Sequence, residues 1–207
     1  MTDFQLIASV AVIHILAVIS PGPDFFMALK NSISYSRKTG VLTAIGFGLG
    51  IAVHIFYSLA GLALIISKSI VLFSIIKYLG VTYLLYIGIK SFISKSQDVT
   101  YKKSKKKQDI SPFKAISMGF LTNVLNPKAT LFFLSLFTLV ISPNTNSQTL
   151  AIISIILVFD TMLWFSLVAI FITHIRILKT YNNYQKVFGK IFGGILIAIG
   201  LKIAFSD

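Results

Sequence analysis

Apolar and polar positions along this chain segregate into long blocks, and the blocks predict helices. The first apolar run, residues 6–19, is followed by Ser20-Pro21-Gly22-Pro23-Asp24, and apolar character resumes over residues 25–29. The run is too short to cross about 30 Å of hydrocarbon, which needs roughly 20 residues. The pattern therefore predicts one span broken in its middle or inner part. Further spans are expected at about 41–66 and 69–92, followed by a polar, basic stretch over 94–112. A fourth span starts near Phe113, is interrupted at Asn126-Pro127-Lys128, and resumes to Ile141. Spans five and six are expected at about 149–172 and 187–205. The first span lacks a basic leader and a small-residue cleavage site, so it reads as retained.

This pattern is that of an all-α membrane protein with six transmembrane helices, the first and fourth of them broken. Residues 1–207 are expected to form a single transmembrane domain. Repeat one covers about 1–93, the basic loop 94–112, and repeat two about 113–207. Each half opens with a proline-interrupted span and closes with a glycine-containing one: Tyr86-Ile87-Gly88-Ile89-Lys90 beside Ala198-Ile199-Gly200-Leu201-Lys202. Three spans per half give the halves opposite orientation, and inverted repeats with discontinuous helices place a substrate site between the breaks.

Composition agrees. The chain is 56% hydrophobic and only 12% charged, whereas soluble domains carry about 25% charged residues. The net charge of +13 does not point to nucleic acid, because the cations lie mostly between apolar segments. Lys30, Arg37, Lys38, Lys90, Lys95, the cluster Lys102, Lys103, Lys105, Lys106 and Lys107, then Lys114, Arg176, Lys179, Lys186 and Lys190 all fall on one side of the expected topology. Cytoplasmic loops carry such an excess, so both termini are expected outside. The lysine cluster reads as a solvated inside loop ahead of a lipid-headgroup site. The absence of cysteine removes thiol chemistry and disulfides from consideration.

The candidate chemistry is sparse. Asp24 and Asp160 are the acidic residues within the apolar segments, and the chain has no glutamate. Asp160 falls near the centre of span five, where a carboxylate costs several kcal/mol unless paired or protonated and is a functional hypothesis by default. Asp24 also suits the first turn of a half-helix through the helix dipole alone. Lys128 is different. It follows Asn126-Pro127, which reads as an N-cap and first-turn proline, and a cation there opposes the dipole. It should face Asp24, Asp160 or an anionic substrate group. His54 can relay a proton or sit neutral and bonded to a neighbouring span. For His14 the bonded, structural reading is preferred. Asn123 lines the second break or bonds its backbone. Gly46 and Gly50 fit close helix packing, and Trp164, Tyr83 and Tyr86 read as packing residues.

The motifs Ser20-Pro21-Gly22-Pro23-Asp24, Leu125-Asn126-Pro127-Lys128-Ala129, Tyr83-Leu84-Leu85-Tyr86-Ile87-Gly88, and Asp160 with Trp164 together resemble the LysE/RhtB amino-acid exporter family over essentially the whole chain. The resemblance implies a bacterial inner-membrane exporter of amino acids or close derivatives, driven by the proton motive force and homodimeric, with no cofactor and no catalytic or metal centre. The implied substrate-binding or coupling set is Pro21, Gly22, Pro23, Asp24, His54, Asn123, Asn126, Pro127, Lys128 and Asp160. Span two departs from the family: apolar Ile51-Ala52-Val53 stands where a polar residue often follows the glycines, which raises the interest of His54. Two other readings stay open from the residues themselves, cation or metal efflux on the same architecture and a non-transport membrane subunit.

Overall fold

The computed structural model describes residues 2–68, 70–93, 108–140, 145–172 and 175–205. Eight α-helices cover them: α1 Asp3–Ile19, α2 Pro23–Ser34, α3 Arg37–Lys68, α4 Ile70–Ile93, α5 Pro112–Val124, α6 Pro127–Val140, α7 Ser147–Leu167 and α8 Ile175–Ala204. A π-helical turn, Val168–Ile172, extends α7. There is no strand among the described residues.

Helix starts follow local side-chain chemistry. Thr2 caps α1 in a capping box with Gln5. Ser36 accepts the Thr39 N–H at the start of α3, Ser111 accepts that of Lys114 in α5, and Asn146 accepts that of Gln148 in α7. Such oxygens satisfy N–H groups that have no partner inside the helix. The α2 start is the exception, with Gly22 at its N-cap and no side-chain cap.

The expected break in the first span is present: α1 and α2 are bent by 57° across Ser20-Pro21-Gly22. The second lies between α5 and α6 at Leu125-Asn126. Among the described residues, Arg37–Gly61 and Ser147–Phe171 are long and apolar enough to cross a membrane as single helices, and the bent α1–α2 pair makes a third. One boundary needs correction. Span six was expected from about residue 187, yet its helix, α8, begins at Ile175. No glycine or proline interrupts the chain before Gly189, so Arg176, Lys179 and Lys186 lie within this helix. The lysine cluster at 102–107 lies outside the described residues.

The exterior is apolar: Phe4, Phe56, Ile155, Phe159 and Phe205 are among the exposed large residues. Buried positions instead include His14, Asn31, Thr43, His54, Asn123 and Thr161. This inversion suits a lipid surround. Helix α3 packs against α5 and α7, α4 against α6 and α8, and α1 against α7. The α3–α5 crossing is close because Gly46 and Gly119 meet there, backbone against backbone. Gly50 makes room for the Asn123 side chain, whereas Gly48 faces Met162 of α7.

Two carboxylates tie helix ends together. Asp3 at the start of α1 accepts the Thr149 hydroxyl at 3.0 Å. Asp109, just ahead of α5, accepts Ser36 Oγ at 2.8 Å and Thr39 Oγ1 at 3.2 Å. Thr149 and Thr39 both lie three residues after the N-caps of their helices, Asn146 and Ser36.

Candidate functional site

The two breaks face each other across a narrow cavity of about 40 Å³. Its lining comes from α1 (His14, Ala17, Val18), the first break (Ser20, Gly22), α2 (Asp24, Phe25), α3 (Ile51), α5 (Asn123), the second break (Asn126), α6 (Lys128, Ala129, Phe132, Phe133) and α7 (Thr161, Phe165). The cavity lies where two apolar clusters meet. One contains Val10, Ile51 and Phe133, and the other Phe25, Phe47 and Phe165. A volume of this size holds about three waters.

Asp24 sits at the second position of α2 and is buried. Its Oδ2 accepts from Asn123 Nδ2 at 2.9 Å and from Asn126 Nδ2 at 3.1 Å. Both donors lie in the other half of the chain. Its Oδ1 is buried with no hydrogen-bond partner. Asn126 does double duty: its Oδ1 accepts the Lys128 N–H at 3.0 Å, the N-cap expected for α6, while its amide nitrogen reaches Asp24.

Lys128 answers the dipole problem in an unexpected way. Its ammonium donates to the carbonyls of Ser20 at 2.8 Å and Ala17 at 3.2 Å. These are end carbonyls of α1, which lack partners inside their own helix and form its negative pole. The cation at the positive end of α6 is thus held by the negative end of α1. Asp24 lies within electrostatic reach, and the lysine stem runs against Gly22, where an added Cβ would stand 3.4 Å from Cδ.

His54 lines no part of the cavity. Its Nε2 meets the Asn123 carbonyl at 3.0 Å and its Nδ1 meets the Tyr57 hydroxyl. A carbonyl only accepts, so Nε2 donates and Nδ1 of the neutral ring accepts from Tyr57. The ring stacks on Phe133 at 5.7 Å. His54 therefore fixes the end of α5 and, through it, Asn123. Pro21 and Pro23 shape the first break, and Pro127 opens α6 at the second; none of the three lines the cavity. Asp160 is also outside the lining. It faces His14, whose Nδ1 is 3.7 Å from Asp160 Oδ2. His14 and Thr161, the latter not singled out from the sequence, do line the cavity. Tyr83 and Tyr86 sit on α4, away from the site, and Lys90 lies over the Tyr86 ring.

Comparison with known proteins places the chain in a family. The LysE type translocator family model matches residues 15–207. The chain is 35% identical over 198 residues to the uncharacterized membrane protein YrhP of Bacillus subtilis (strain 168), covering 92% of this chain and 94% of that one. It is 30% identical to the threonine efflux protein of Salmonella typhi, with 98% of each chain covered. It is 33% identical to the leucine efflux protein of Salmonella choleraesuis (strain SC-B67), covering 92% of this chain and 90% of the relative. No solved structure matches it significantly. With a family match over residues 15–207 and relatives that are efflux proteins covered over nearly their whole length, the chain belongs to the LysE type translocator family and is a membrane transporter, not an enzyme.

Proposed function

We propose that this translocator exports neutral amino acids by alternating access, driven by a proton gradient. The carrying observation is that an unpartnered buried oxygen, Asp24 Oδ1, and the Lys128 ammonium belong to the same small cavity. A zwitterion carries one ammonium and one carboxylate. Asp24 Oδ1 supplies an acceptor for the first. Lys128 and the uncapped start of α2 supply a cation and a positive helix end for the second. The remaining wall is largely apolar, with Val18, Phe25, Ile51, Phe132, Phe133 and Phe165. Beyond Asp24 and Lys128, His14 is the one other ionisable residue in the lining, so a charged substrate side chain would meet no dedicated counter-ion. The names of the relatives, threonine and leucine efflux proteins, fit a neutral substrate leaving the cell. A cation-efflux reading has weaker support: among the described residues no three His, Cys, Asp or Glu side chains come together.

Purified protein in liposomes tests this reading. An imposed pH gradient should drive labelled leucine or threonine across the membrane, and unlabelled neutral amino acids should compete. Failure to move any neutral amino acid, or equal competition by lysine and leucine, would refute the assignment.

The architecture proposed with it is six spans in two inverted repeats, residues 1–93 and 113–207, with both termini outside and the basic loops inside. The cation distribution supports that orientation. The two carboxylate clamps support the inversion. In each, an aspartate at the start of one repeat's broken span reaches the Thr three residues after the N-cap of the other repeat's second span. Under this topology one clamp lies at each membrane face, and each face must open in turn. The chain has no cysteine, so the paired variants Thr39→Cys/Asp109→Cys and Asp3→Cys/Thr149→Cys would carry the only thiols. Cross-linking either pair with a short bismaleimide should stop net transport. Wild-type rates in fully linked protein would show that the linked face never opens.

A further inference from the structure

The two buried histidines of this protein are held differently. Both nitrogens of His54 meet oxygen partners, the Asn123 carbonyl and the Tyr57 hydroxyl. His14 is 1% exposed, yet its Nδ1 has no hydrogen-bond partner. It stands 3.7 Å from Asp160 Oδ2, and Nε2 is 3.4 Å from the Thr161 hydroxyl. These contacts are too long to fix the ring as His54 is fixed. A buried nitrogen left without a partner in an apolar interior carries a penalty, and here it faces a carboxylate.

The placement matters as much as the distances. Asp160 is outside the cavity lining and its side chain is 21% exposed. His14 and Thr161 line the cavity. The imidazole is therefore interposed between a partly exposed carboxylate and the substrate site, one nitrogen toward each. Phe132 and Phe133 of α6 cover the ring at 6.1 and 5.6 Å between centroids. The titratable group facing it from α7 is Asp160, and Asp24 and Lys128 share its cavity.

We propose that His14 and Asp160 form the proton path of this transporter, with His14 carrying the proton between Asp160 and the cavity. The inference rests on the proton-driven reading above. A proton arriving on Asp160 passes to His14: the Oδ2–H bond breaks and the Nδ1–H bond forms, leaving a carboxylate facing an imidazolium. The Nε2–H bond then breaks as that proton goes to an acceptor in the cavity, where Asp24 supplies a carboxylate, and the ring is neutral again. Imidazole suits the step because its two nitrogens exchange protons near neutral pH. The proton now sits on Nδ1, and a flip of the ring turns that N–H toward the cavity and the bare Nε2 toward Asp160, ready to take the next proton.

Two measurements on reconstituted His14→Gln and Asp160→Asn proteins test the path. Exchange of labelled leucine between equal pools needs no net proton flow, so it should be reduced far less than accumulation in both variants, and any exchange that remains reports a folded carrier. Accumulation driven by an imposed gradient of about one pH unit, worth about ten-fold for one coupled proton, should fall to none in both. The path is overturned if either variant accumulates substrate as steeply as wild type. It is equally overturned if His14→Gln loses exchange together with accumulation, since His14 would then serve translocation itself. Wild-type exchange without any response to the gradient would remove the proton-driven reading and this path with it, while leaving export standing.

Discussion

Lys128→Met should cut export by at least about 100-fold, because hydrogen bonds to a charged group contribute about 1.5–3 kcal/mol each and the ammonium makes two of them. Methionine keeps most of the stem and removes the charge. The carbonyls of Ala17 and Ser20 lose their donor at the end of α1, and Asp24 loses the cation beside it. A buried charge stripped of its partner is the expensive case. Lys128→Met should therefore lower thermal stability in detergent as well as transport, and the double variant Asp24→Asn/Lys128→Met should regain stability without regaining export. Arginine is not expected to substitute, since its planar fork is bulkier than an ammonium and the cavity is only about 40 Å³. Export within a few-fold of wild type by the methionine variant would remove Lys128 from the mechanism. A double variant no more stable than Lys128→Met would remove the charge argument.

The reasons that Lys128 could be singled out, and its partners could not, show what is legible in the sequence. Its conflict with the α6 dipole is local, set by Asn126-Pro127 immediately before it, and so it can be read along the chain. Its partners are backbone carbonyls 108 and 111 residues away, and a carbonyl has no signature in a sequence of side chains. Asp24 was readable as a polar residue at a break, but the two asparagines that hold it lie 99 and 102 residues further on. The proline breaks were legible because proline acts on its own backbone and on the residue before it.

His14 illustrates the opposite case. A histidine in an apolar half-helix has an ordinary explanation, and only its approach to Asp160 across α7 changes the reading. His54 was attractive as a midspan histidine; the structure gives both its nitrogens oxygen partners and leaves it out of the cavity lining. The start of α8 was misjudged because hydropathy locates the apolar part of a helix and not its end. Arg176 and Lys179 look like loop residues by charge, yet nothing between Ile175 and Phe188 breaks a helix.

The α3–α5 crossing makes the second large effect, and it acts on the site without touching it. A Cβ added to Gly119 would collide with the Thr43 carbonyl oxygen and stand 2.9 Å from its carbon. One added to Gly46 would collide with the Ile116 carbonyl oxygen and stand 2.7 Å from the Phe120 nitrogen. These are backbone atoms, so no rotamer change relieves the contact, and the helices must separate. Separation pulls on two bonds at once, since α5 carries Asn123, which donates to Asp24 and accepts from His54 of α3. Gly119→Ala should therefore destabilise the protein by about 1–3 kcal/mol, the usual range for overpacking, and Gly119→Val by more, with export falling in step. Gly194 provides the contrast. It also lies within a helix, but an added Cβ there meets nothing within 4 Å, so Gly194→Ala should be neutral or stabilising by up to about 1 kcal/mol through helix propensity. Melting of the purified variants in detergent, read beside their transport rates, decides the matter. Equal melting temperatures for Gly119→Ala and Gly194→Ala would mean that the two helices have slack at the crossing and that Asn123 is not held by it.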